Sequence, residues 1–152
     1  MAMFRRLALV LLLWWPTAAP ANALTFEFWP SDDPGQSMSC VLRYADGMFT
    51  AVEVQGPGMP AATPLRWPAG PEDVTAMTAA LQALVSGDVP SVRAVTTSRL
   101  PPAPFVTVTW MAHVDTGMMI GLYIQRGLTL PPVLDRLIRT VMPDGPCARQ
   151  LP

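Results

Sequence analysis

The stretch FVTVTWMAHVDTGMMIGLYIQ, Phe105 to Gln125, decides the fold class. Two runs rich in β-branched and aromatic residues flank Asp115-Thr116-Gly117, a polar turn carrying glycine, which is the sequence form of a β-hairpin. With Gly117 as the bulge glycine of a three-residue loop, the arms are Phe105 to Val114 and Met118 to Gln125. In that register Val106, Val108, Trp110, Ala112 and Val114 share a face with Met118, Ile120, Leu122 and Ile124. So complete an apolar set predicts the face that meets the core.

The same signature recurs upstream, where Met38 to Tyr44 and Met48 to Val54 flank Ala45-Asp46-Gly47. A three-residue loop there puts Met38, Cys40, Leu42 and Tyr44 beside Met48, Thr50, Val52 and Val54. A two-residue turn would set Cys40 opposite Glu53, a poorer match, so the longer loop is expected and Cys40 should point inward. Leu24 to Trp29 alternates as a first strand, stopped by Pro30 and the polar Ser31 to Gly35 loop. Gln55 to Gly70 reads as a Pro/Gly-rich connection holding Trp67.

Two segments switch to helical spacing. In Pro71 to Ser86, Val74, Met77, Leu81, Leu84 and Val85 form one apolar stripe. Pro71 suits the first turn, Glu72 and Asp73 its positive end, and Gly87 the stop. Pro131 to Met142 aligns Leu134, Leu137, Ile138 and Val141, and Pro143-Asp144-Gly145-Pro146 ends it. Val92 to Thr97 is expected as a short strand, and Leu100 to Pro104 as a stiff connector. The predicted order is β-ββ-α-β-ββ-α, an α+β fold with two helices packed on one face of a mostly antiparallel sheet.

The first 23 residues have a different design. Arg5 and Arg6 precede the apolar run Leu7 to Trp15, Pro16 closes it, and Ala21-Asn22-Ala23 supplies small residues for cleavage. The run is far shorter than the roughly 20 residues of a spanning helix. Residues 1–23 are therefore expected to be a cleavable secretory signal peptide, and residues 24–152 one soluble domain with no transmembrane span. The protein is thus expected in the periplasm or secreted. Losing Arg5 and Arg6 would move the formal net charge from −1 to −3.

In an oxidising compartment the two cysteines, Cys40 and Cys147, are expected to form one structural disulfide. In the chain-entropy picture, closing a loop of about 100 residues stabilises by roughly 4–5 kcal/mol at most. The basic residues are all Arg, scattered singly through the domain, which argues against nucleic acid as partner.

No Gly-x-Ser-x-Gly elbow, phosphate loop or Cys-x-x-Cys pair is present, and no cofactor is implied. The only histidine, His113, is expected opposite Met119, with Met111 two residues away on the same strand. Thioether and imidazole donors suit Cu(I), so Met111, His113 and Met119 are the candidate metal set. A hydrolytic reading would use Asp115 to orient His113, with Thr109 as a poor nucleophile. In the expected register the uncovered face carries Val41, Phe49, Ala51, Met111, Met119 and Tyr123 among Arg43, Glu53, Thr107 and Thr109. Such a semi-apolar face marks a partner site, with Val41, Phe49, Met111 and Tyr123 at its centre. The functional expectation is a non-enzymatic module that binds a protein, a peptide or a like subunit through this face.

Overall fold

Asp46 and Gly47 both take left-handed backbone, φ 52° and 70°, in the computed structural model of the chain. Two consecutive positive φ angles define the type I′ turn that Asp-Gly favours, and its twist matches the strands it joins. The first hairpin therefore closes on two residues, pairing Ala45 with Met48, and the three-residue loop is corrected. Cys40 stands opposite Glu53.

The second hairpin makes the same choice, with Val114 paired to Gly117 and His113 to Met118. Trp110 faces Gly121 across the strands, and its indole occupies the space that a Cβ on Gly121 would need. A glycine under a cross-strand aromatic is a register pin. A shift of one residue sends every side chain of the second arm to the other face.

The structure describes residues 21–56, 62–88 and 100–152. The strand expected at Val92 to Thr97 and nearly all of the expected signal peptide lie outside the described residues. The elements are β1 (Asn22–Trp29), β2 (Met38–Ala45), β3 (Met48–Gln55), β4 (Leu65–Pro68), α1 (Pro71–Ser86), β5 (Phe105–Val114), β6 (Gly117–Arg126) and α2 (Pro132–Val141). The strands make one antiparallel sheet in the order β4-β3-β2-β1-β5-β6. The fold is α+β, with its helices on one side of that sheet, as the sequence predicted.

β4 is an addition within the segment read as a connection. Its one large aromatic explains it: Trp67 pairs with Phe49 and stacks on that ring at 5.7 Å. β1 runs down the middle of the sheet between β2 and β5, and Leu24, Phe26 and Phe28 are fully buried there. Met38, Cys40 and Leu42 of β2 join them, as do Phe49 and Ala51 of β3 and Val106, Val108, Trp110 and Ala112 of β5.

The helices close this core. In α1, Met77, Ala80, Leu81 and Leu84 face inward. Asp73 accepts the Gly70 N–H at 3.2 Å, and Gly87 ends the helix at φ 74°. All four apolar positions expected of α2, Leu134, Leu137, Ile138 and Val141, are buried. Outside, Asp135 and Arg139 form an ion pair at 2.9 Å, one turn apart.

The disulfide joins Cys40 to Cys147 with a Cα–Cα distance of 6.3 Å, within the usual span, and both residues are fully buried. It ties β2 to the segment after α2. No described helix is long and apolar enough to cross a membrane.

Candidate functional site

The register decides which side chains are displayed on the face of the sheet that, among the described residues, no helix covers. On β6 the core side receives Met119, Gly121, Tyr123 and Gln125, opposite Ala112, Trp110, Val108 and Val106. The more apolar set, Met118, Ile120, Leu122 and Ile124, turns outward. Met118 is 54% exposed, Ile120 64% and Leu122 44%. Soluble chains expose apolar side chains singly as a matter of course; three consecutive outward positions of one strand are a patch.

Of the expected partner-binding residues, Val41 and Met111 do lie on this face, the first exposed and the second half-buried. Phe49 and Tyr123 do not. Phe49 is fully buried between Tyr44 and Trp67, and Tyr123 retains only 2% of its surface. Ala51 is likewise buried, and Met119 belongs to the core side. The one-residue difference in each turn accounts for all four. Tyr123 satisfies its hydroxyl by donating to Gln125 Oε1 at 2.7 Å, and burial pushes that hydroxyl's pKa up.

The middle of the uncovered face is polar. Thr107 donates to Glu27 Oε2 at 3.1 Å across β5 and β1, with Thr25, Ser39 and Thr109 beside that pair. This polar centre separates the outward residues of β3, among them Val52 and Val54, from the stronger apolar strip on β6.

β6 is also an edge. Antiparallel alternation from the Val114–Gly117 closing pair turns the backbone N–H and C=O of Met118, Ile120, Leu122 and Ile124 away from β5. Among the described residues nothing pairs with those groups. The residues with outward apolar side chains are therefore the residues with free backbone hydrogen-bonding groups. From Gly117 to Gln125 no side chain is charged and none is proline. The usual protections of an edge strand are missing there.

The three candidate metal donors are divided between faces. Met111 and His113 look outward and Met119 inward; the direct neighbour of His113 is Met118. The His113 N–H donates to Asn22 Oδ1 at 2.9 Å, but its ring makes no hydrogen bond among the described residues. Asp115 therefore does not orient it. A depression of about 330 Å³ beside His113 is lined also by Leu81, Gln82 and Val85 of α1.

The edge character of β6 was the feature that sequence reading missed. Its signal was available in the absence of charge and proline over nine residues at one end of the sheet. Protein-family models, curated proteins and solved structures offer no match to this chain.

Proposed function

We propose that this chain is an exported, non-catalytic binding module whose docking element is β6, and that it takes an uncharged extended strand there. Strand addition to a sheet edge draws affinity from main-chain hydrogen bonds and selectivity from alternate side chains. β6 offers both on the same four residues, Met118, Ile120, Leu122 and Ile124, and that coincidence carries the reading.

A second copy of the chain supplies such a strand. Placed antiparallel about a two-fold axis at Gly121, β6 pairs Met118 with Ile124 of the partner subunit and Ile120 with Leu122 of the partner subunit. All four residues then face their counterparts with free N–H and C=O groups, giving about eight new hydrogen bonds. No like charges meet, and the small Gly121 lies on the axis. Isologous contacts of this kind are the commonest route to dimers. The disulfide fits an exported protein, and the Arg5-to-Ala23 segment supports the same placement.

Sedimentation of residues 24–152 over a wide concentration range tests the proposal. A concentration-dependent dimer is expected, and Ile120→Lys with Leu122→Lys should leave a monomer that melts as the parent monomer does. A parent that stays monomeric throughout and does not bind a peptide of sequence Gly117 to Arg126 would overturn it.

A further inference from the structure

A cavity lies on the opposite side of the sheet, far along it from β6. It measures about 570 Å³ and opens between β3, β4 and the Pro143 to Pro146 loop that follows α2. Ala51, Leu65, Trp67, Val141 and Met142 make most of its wall apolar. That size and lining are those of a small-molecule site.

One wall carries a carboxylate in an unusual position. Glu53 projects from β3 toward the core side, half-buried, beside the disulfide. Cys40 Sγ lies 4.0 Å from Glu53 Oε1, and that sulfur, bonded to Cys147, has no hydrogen to give. Arg149 acts on the charge of Glu53 from nearby, yet its guanidinium donates to the Asp144 carbonyl at 3.0 Å and makes no ion pair with Glu53. Among the described residues the carboxylate thus has no hydrogen-bond donor. Burial pushes its pKa up, and the Arg149 charge opposes that only in part.

The loop after α2 passes close to this group at Gly145. A Cβ on Gly145 would run into Glu53 Oε1, so a side chain at residue 145 would oblige the carboxylate to swing out of its present place. Half burial strips the carboxylate of part of its water, and no protein donor among the described residues replaces it. Asp144 on the rim adds a second negative charge, and the Trp67 indole in the same wall is the kind of surface that cations favour.

We propose that this cavity binds an apolar molecule or chain end bearing an ammonium group, with its body against Leu65, Trp67 and Val141 and its nitrogen on Glu53. Glu53 supplies the acceptor and the charge; the apolar wall supplies most of the contact. The site is independent of β6 and would stand if the edge-docking reading failed.

Calorimetric titration of residues 24–152 at neutral pH with hexylammonium, hexanol and hexanoate tests the assignment. Hexylammonium should bind about tenfold more tightly than hexanol, the margin of one charge-assisted hydrogen bond, and hexanoate should bind weakest. Glu53→Gln should remove that margin and leave hexanol unchanged. In the parent protein, hexylammonium affinity should fall as pH drops through the Glu53 titration, while hexanol affinity stays level; this arm holds if the variant misfolds. A Leu-Ala-Ala peptide binding as well as hexylammonium, and losing affinity on N-acetylation, assigns the site to chain ends; a clear preference for hexylammonium assigns it to free amines. Equal affinities for the three hexyl probes, or no binding by any, would overturn the proposal.

Discussion

Trp110 on β5 lies over Gly121 on β6, in the volume that any larger side chain at position 121 would fill. The contact joins sequence to register. Trp110 is 8% exposed and packs into the core, so the glycine beneath it must sit on the core side of β6. Once Gly121 is inside, Ile120 and Leu122 are outside.

Gly121→Val should therefore destabilise the domain by about 1–3 kcal/mol through overpacking against the indole. Urea unfolding measures the loss. Trp110→Leu should destabilise on its own and relieve part of the Gly121→Val penalty when the two are combined. Strict additivity of the two substitutions would show that the indole and the glycine do not share a space.

Reduction of the Cys40–Cys147 bridge should lower stability by up to roughly 4–5 kcal/mol, since the bridge spans 107 residues of sequence. The double variant Cys40→Ser with Cys147→Ser should behave likewise. An unfolding midpoint that does not respond to reductant contradicts the structural role of the bond.

Glu53 should impose its own pH dependence. Its folded pKa is raised above 4.5 by burial, so the folded form holds the proton more tightly than the unfolded form. The sign follows from linkage: this group favours folding most at low pH, and that contribution is lost as pH rises through the raised value. Glu53→Gln should consequently gain on the parent protein as pH rises from 4.5 toward neutrality. Denaturation curves at several pH values would show a widening gap; a constant gap disproves the assignment.

Mass spectrometry of the protein recovered from an exporting host should find Leu24 at the amino terminus. β1 would then lose Asn22 and Ala23, which pair with Tyr44 and Arg43, and keep its buried Leu24, Phe26 and Phe28. Recovery of a chain that still carries the Leu7 to Trp15 segment would argue for retention of the leader.

What was legible in the sequence was whatever repeats over many residues. The α1 and α2 stripes, the alternation of β1 and the pairing of the only two cysteines each rest on a long or unique pattern. The registers rest on a single residue in each turn. At Asp46-Gly47 the decisive fact is that both residues accept positive φ, which the choice of the best apolar match overrode. In the second hairpin that same criterion pointed the wrong way, because the more apolar half of β6 faces outward. A pattern that assumes greasy residues go inside cannot see an apolar surface that faces outward. β4 escaped notice because four residues, two of them Leu65 and Pro68, carry no alternation; the Phe49–Trp67 stack holds them, and that contact is tertiary.

Cys147 follows every strand and α helix among the described residues in chain order, whereas its partner sits on β2. The sulfur bridge can consequently close only after α2 has been made, because its second cysteine lies beyond that helix. It acts as a latch that cannot engage until the chain has been made as far as Cys147. A chain stalled after its first hairpin would present one solitary thiol, a chemical tag by which an oxidative quality-control system could tell unfinished molecules from finished ones.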